Sequence, residues 1–437
     1  MKEDFLHYLW KFKKFNAANL TSANGEQITI INSGQYLQLS GPDFFNAQLI
    51  IGNQKWAGNI EIHIRSSDWY VHNHETDPAY ENVILHVVWE HDVEIFRKDA
   101  SVIPVLELSK YTEAATVESY RQLMSAKKWI YCEDQIAKVD SVVRRSLMER
   151  LFFERLERKS QPVIQVLSKN GNDWEAALFR HLAMNFGLNT NGAIFGRMAE
   201  SIPFAVVRKE SADVLNLESI FFGCCGMLEA EHEDVYFRNL KGRWNYLAMK
   251  YNLADDAVPP PEFFKHRPDN FPTIRLAQLA QLYHLRQNLF SQILESESIK
   301  DFSKLLRVNV SEYWESHYLF DKQSRSKKKM LSDPFINLLL INGILPLKFA
   351  YARTLGKEPS EELIALMERL PPEKNGIIEK FASVNIEAAN AFDSQSLLQL
   401  KSEYCNRGRC LECSIGIALM KPETDEKVRK FEPLKPV

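Results

Sequence analysis

Residues 41–92 read GPDFFNAQLIIGNQKWAGNIEIHIRSSDWYVHNHETDPAYENVILHVVWEHD, and the fold is decided here. Within it, NIEIHIR (59–65) alternates strictly. Ile60, Ile62 and Ile64 fall on one face of a strand, and Glu61, His63 and Arg65 on the other. The isoleucines can cover a core while a carboxylate, an imidazole and a guanidinium share the opposite surface. VILHVV (83–88) is almost continuously apolar, the pattern of a strand buried on both faces. FFNAQLIIG (44–52) reads as a further strand, with Gly52-Asn53 as the hairpin turn into the next.

Outward from this stretch, EDFLHYLWKF (3–12) has helical apolar spacing, with Phe5, Leu6, Leu9 and Phe12 on one side. QITIIN (27–32) and VIPVLEL (102–108) add strands. Residues 1–125 therefore read as one mixed α/β unit. From about Asp140 the period lengthens: SVVRRSLMERLFFERLERKSQPVIQVL (141–167) and the segments after it place apolar residues every three or four positions. Residues 126–437 read as a mainly α-helical region, and the fold class is α+β.

The bulk composition sets outer limits. The chain has 437 residues, 45% hydrophobic and 25% charged, with a net charge of −3. That balance argues against non-specific coating of nucleic acid, which needs many cations, but permits one local basic groove. INLLLINGILPLKFAYA (336–352) is broken by Asn337, Asn342, Pro346 and Lys348, so it reads as a buried helix pair and no membrane is expected as a partner. The N-terminus lacks the pattern of a signal peptide, which makes a cytoplasmic location the expectation.

Asp43, opening one strand, can sit beside Glu61 across the hairpin. Two such oxygen donors suit Mg²⁺ or Mn²⁺ with positions open for water and phosphate. His63 would lie near the attacking water. HNHETDP (72–78) adds His72, His74 and Asp77, which with His63 or His86 could form a second, nitrogen-rich site. The blander reading makes His86 a hydrogen-bonded core histidine and puts His72 and His74 in a polar loop.

CNRGRCLEC (405–413) sets three thiols at C-x4-C-x2-C, and Cys132 in KKWIYCED (127–134) is the natural fourth. Cys132, Cys405, Cys410 and Cys413 would suit Zn²⁺ or a [4Fe–4S] cluster. Cys224 and Cys225 lie among apolar helix residues and read as core. Arg65, Arg267 and Arg275 are candidate phosphate contacts; surface arginines near helix starts equally serve as caps or ion-pair partners.

Pro42-Asp43 followed by Glu61-Ile62-His63 resembles the PD-(D/E)XK nuclease superfamily. Its pattern is Asp opening a strand, a hairpin, Glu-x-Lys on the next strand, then a helix and another strand. The resemblance implies a restriction-endonuclease-like N-terminal fold, a divalent-metal site at Asp43 and Glu61, and cleavage of DNA or RNA. This chain departs from it at His63, which stands where the pattern has lysine and carries no permanent charge. Some nucleases of that superfamily hold a cluster through one distant and three C-terminal cysteines, although Cys132 follows the motif here and does not precede it. The longer string SGPDFFNA…WAGNIEIHIRSSDWYVHNHETDPAYENVILHVVWEHD, with WIYCE and YCNRGRCLECSIG, is similar to an uncharacterised bacterial family, domain of unknown function 2851. That similarity implies a shared fold and brings no activity with it. A metal-dependent nuclease or phosphodiesterase is the first expectation. A non-catalytic nucleic-acid- or protein-binding scaffold with a degenerate core is the alternative, and a zinc hydrolase built on His63, His72, His74 and His86 a third.

Overall fold

A computed structural model describes residues 1–37, 41–125, 128–253, 259–264, 266–357 and 361–420. The chain forms two compact units: Met1–Leu147 with Val384–Ile386 and the segment from Leu400, and Met148–Ser383 with Glu387–Gln399. The sequence boundary at 125/126 therefore differs from the observed one. Periodicity identifies the C-terminal helices but not the body they pack on, and the segment from Leu400 packs with the first unit.

In the first unit, helix α1 (Glu3–Phe12) precedes the strands β1 (Leu20–Thr21), β2 (Gln27–Asn32), β3 (Gln35–Tyr36), β4 (Phe44–Ile51) and β5 (Gln54–Arg65). Helix α2 (Asp68–Val71), strands β6 (Val83–Glu90) and β7 (Val105–Glu107) and helix α3 (Ala114–Ser125) follow. The sheet runs β1-β2-β4-β5-β6-β7, with β3 also pairing β4. Pairing is antiparallel up to β5, whereas β6 is parallel to β5 and β7 to β6. Gly52, at φ +59, makes the expected two-residue turn that sets Ile51 opposite Gln54.

Alternation in β5 sorts its side chains as the sequence requires. Ile60 and Ile62 join Phe5, Leu6, Leu9 and Trp10 of α1 and Val117, Tyr120 and Leu123 of α3 in one core. On the opposite face Trp69, Tyr80, Val83, Val88 and Val105 form a smaller apolar cluster. Glu61 and His63, expected on an open surface, are 5% and 1% exposed, because the chain between β5 and β7 folds over that face. Every residue of β6 from Val83 to Val88 is buried, as its apolar run predicts.

Among its described residues the second unit is helical apart from connecting loops and a small hairpin, His317–Leu319 with Lys322–Gln323. The expected helix pair around Pro346 is instead one continuous helical stretch, Asp333–Thr354, with a π segment at Leu340–Ile344. A widened turn ahead of Pro346 accommodates the residue that cannot donate to the preceding turn, so the helix need not break. By length and apolarity this helix could cross a membrane, yet two-thirds of its most apolar window is buried inside the unit. Arg275, a candidate phosphate contact, is 5% exposed; it donates to Gln278 at 2.7 Å and stacks on Phe335. It is a core residue, and corrects the expectation. Cys224 and Cys225 are core residues as expected.

Gly58 sits where β5 meets β6, and a Cβ there would lie 2.4 Å from Ile84 Cγ2 and 2.5 Å from Asn82 O. Gly58→Ala should cost about 1–3 kcal/mol by overpacking. Hydrogen exchange should then show faster opening of β5 and β6 amides, with the helices of the second unit unchanged.

Candidate metal centre

The β4–β5 hairpin places Phe44 opposite Ile60, so Asp43 stands next to Glu61. The Asp43 amide donates to Glu61 Oε2 at 3.2 Å, and Ile62 N–H donates to Asp43 Oδ2 at 3.0 Å. A register shift between Phe44 and Ala47, with Asn46 at φ +55, bends β4 beside this contact. Asp43 and Glu61 thus stand side by side across the hairpin.

Parallel pairing sets Glu61 beside His86 on β6. His72 and His74 return to the sheet because Asn73, between them, takes φ +59 and reverses the chain. Asp68 holds the start of this loop by accepting from Arg65 N–H at 2.9 Å. His63 Nε2 then lies 3.0 Å from His72 Nδ1 and 3.5 Å from Glu61 Oε1, while His74 Nε2 is 3.4 Å from the same Glu61 oxygen. One nitrogen from each of His63, His72 and His74 falls within 4.8 Å of the others. Tyr80 stacks on His74 at 3.7 Å, and Trp69 presents its edge to His74 and its tilted face to His86.

Electrostatics keep Glu61, His63 and His86 uncharged without a cation. Burial, then the neighbouring Asp43 charge, pushes the Glu61 carboxyl up to about 9. Burial, then His74 and His72, holds His63 down at about 3, and burial keeps His86 well below the ordinary imidazole range. Glu61 and His63 are therefore neutral neighbours at pH 7 and not an ion pair. His74 Nε2 is buried without a hydrogen bond even though Glu61 is close. A neutral imidazole nitrogen with a free lone pair beside a carboxyl oxygen is the state a metal ligand needs.

His63 Nδ1 is 2.8 Å from His86 Nε2. With the proton on Nδ1 donated to His86, the Nε2 lone pair of His63 faces Glu61, His72 and His74. His86 is then a positioning residue behind a ligand, the arrangement common around protein metals. His63, His72 and His74 offer three nitrogens within reach of one ion, with Glu61 Oε1 3.5 Å from His63 Nε2 and 3.4 Å from His74 Nε2, and nitrogen donors fit Zn²⁺ or Mn²⁺ better than Mg²⁺.

Two residues missed from sequence join from α1. His7 Nε2 is 3.1 Å from Asp43 Oδ2, and Glu3 lies one turn earlier on the same helix face. Burial acts to lower the His7 pKa, but the Asp43 carboxylate outweighs it and the net shift is upward. The i, i+4 spacing of Glu3 and His7 was the available signal, hidden in a helix whose apolar residues explained it fully.

Other expected ligands go elsewhere. Asp77 is exposed and caps a short 3₁₀ turn by accepting from Ala79 N–H at 2.9 Å. Arg65 is exposed at the end of β5, with Nε 3.5 Å from Glu90 Oε2. Arg267 is exposed in the second unit at the start of the turn Pro268–Asn270. Cys132, Cys405, Cys410 and Cys413 do come together, lining one cavity of about 20 Å³ in the first unit.

Comparison with known proteins returns no matching curated protein and no matching solved structure. A family model described as "Protein of unknown function (DUF2851)" matches residues 3–376, a span that takes in the whole sheet, the histidine cluster and Cys132 but ends before Cys405. The chain belongs to this DUF2851 family.

Proposed function

We propose that this chain is a divalent-metal-dependent hydrolase of phosphodiester bonds, a nuclease-type enzyme acting on DNA or RNA. The reading is carried by the Glu61 carboxyl, whose Oε2 meets the Asp43 amide while Oε1 faces His63 and His74. Asp43, Glu61 and the imidazoles of His63, His72 and His74 are the groups that would hold the ion. When bound, such an ion supplies Lewis acidity to a phosphate oxygen and lowers the pKa of a water.

The chain's own residues support the same chemistry. Asp43 before β4, the hairpin, Glu61-Ile62-His63 on β5, then α2 and β6, follow the order that the PD-(D/E)XK resemblance implies. His63 lacks the charge of the lysine in that pattern. His7 Nε2 lies 3.1 Å from Asp43 Oδ2, a contact that raises its pKa and favours the charged imidazole over that of a free histidine. His7 also lines a cavity of about 350 Å³ whose walls mix Lys2, Lys11 and Arg407, the rings of Phe12 and Tyr36, and the carboxyl groups of Glu3, Asp4 and Glu412; its cations and rings offer contacts for a phosphate and a base. The neutral His63 favours the second reading, a metal-stabilised binding scaffold without turnover.

Glu61→Gln and Asp43→Asn should each lower Mn²⁺-dependent cleavage of single- and double-stranded DNA and RNA oligonucleotides by at least about 10²-fold. Equal cleavage by parent and variants would refute the assignment, and tight metal binding with no cleavage by the parent would select the scaffold. His86→Ala should weaken metal retention by about 10–100-fold in a chelator competition, because His63 loses the partner that fixes its tautomer.

The pH dependence follows from Glu61. Its carboxyl stays protonated up to about 9 without metal, so the ion must displace that proton. Apparent affinity for Mn²⁺ should rise by about tenfold per pH unit from neutrality and level off above about pH 9. The raised carboxyl also means that the metal-free fold loses stability as pH climbs from 4.5 toward about 9, and metal should abolish that loss. A flat affinity profile over this range would contradict the role given to Glu61.

A further inference from the structure

Cys405 ends a π segment, Leu400–Cys405, and Gly408 at φ +66 turns the chain after it. Arg409 N–H donates to Tyr404 O at 2.9 Å and closes that turn. Cys410 begins a 3₁₀ turn, and Cys413 N–H donates back to Cys410 O at 3.2 Å. Cys413 then opens the short helix Ser414–Leu419, where a Cβ on Gly416 would lie 2.0 Å from Cys410 O. Glycine alone lets this helix rest on the Cys410 turn, and that close approach fixes the separation of Cys410 and Cys413.

The fourth cysteine arrives from far away in sequence. Cys132 O accepts from Gln135 N–H at 3.0 Å and from Ile136 N–H at 2.8 Å, which holds its segment in a tight turn. Lys401 Nζ reaches Trp129 O at 3.3 Å and ties that turn to the C-terminal segment. Leu123, Ile136, Leu400, Tyr404 and Ile415 wall the cavity that the four cysteines share. None of the four is in a disulfide.

Cysteines used merely as small apolar residues behave differently in this same chain. Cys224 and Cys225 are 9% and 0% exposed in the second unit, within the core. Cys132, Cys405 and Cys410 are only partly buried, yet converge with Cys413 from two segments. Packing gains nothing from collecting sulfurs in one place. Soft-metal coordination requires it.

We propose that Cys132, Cys405, Cys410 and Cys413 hold a metal centre through four thiolates, as tetrahedral Zn²⁺ or a [4Fe–4S] cluster. Four S–H bonds break and four sulfur–metal bonds form, with the four protons passing to solvent. The centre clasps the segment from Leu400 onto the Cys132 turn. Its ligands are separate from those of the proposed hydrolase, since Asp43, Glu61 and the histidines take no part.

The test is X-ray absorption and elemental analysis on the full chain purified without air. The expected result is a zinc or iron edge with a four-sulfur shell, as about one zinc or about four irons with matching sulfide per chain. Cys132→Ser and Cys410→Ser should lose that sulfur-ligated metal, and the Cys224→Ser, Cys225→Ser double variant should keep it. A parent protein whose metal has only nitrogen and oxygen neighbours would overturn the proposal. So would a sulfur shell that persists in Cys132→Ser. Because the parent spectrum is decisive by itself, a variant that fails to fold leaves the proposal open to refutation.

Discussion

Burying one carboxyl group against another is costly, and the first unit accepts that cost at Glu61. The group is 5% exposed, with Asp43 beside it and no lysine or arginine facing it in an ion pair among the described contacts. A protein built for stability alone would place an apolar residue there. Here β5 has to present Glu61 and His63 inward while its isoleucines hold α1 and α3 on the other face, so the hairpin, the parallel crossover to β6 and the loop through Asn73 all converge on one carboxyl. Protonation relieves the strain when no cation is present. A divalent ion would relieve it with the proton removed.

Much of this architecture was legible because period-2 patterning survives without tertiary context. NIEIHIR assigned its faces correctly, and Gly52-Asn53 made the turn that brings Asp43 to Glu61. The exposure of the polar face was not legible. Residues 66–82 and 91–101 contain no long apolar run that would announce a cover, yet Trp69, Tyr80 and Ile95 bury that surface. His7 escaped notice for a related reason: a helix satisfied by Phe5, Leu6 and Leu9 gives no local sign that one polar side chain meets a strand end over thirty residues away. Arg275 shows the reverse error, since a guanidinium near a helix start looks solvated until Phe335 is found stacked upon it.

The cysteine cavity and the carboxylate site share one unit, and the cysteine loop also reaches the cavity beside His7. Arg407 and Arg409 lie between Cys405 and Cys410, and both line the cavity that His7 opens onto. Arg407 is held by Glu403 at 2.7 Å, and Arg409 pairs with Glu412. A metal fixing the cysteine loop would therefore also fix part of the cationic lining, which gives the clasp a consequence beyond stability. The family match ends at residue 376, so Arg407 and Arg409 lie beyond the matched span.

The most direct test of the shared-carboxyl account is a crystal structure of the full chain soaked in Mn²⁺, with anomalous scattering recorded at the manganese edge. The account predicts a peak within coordination distance of Glu61 and of ring nitrogens of His63 and His74, with Asp43 turned toward it. Ordered density for these side chains with no anomalous peak among them, at Mn²⁺ well above any physiological level, would contradict it.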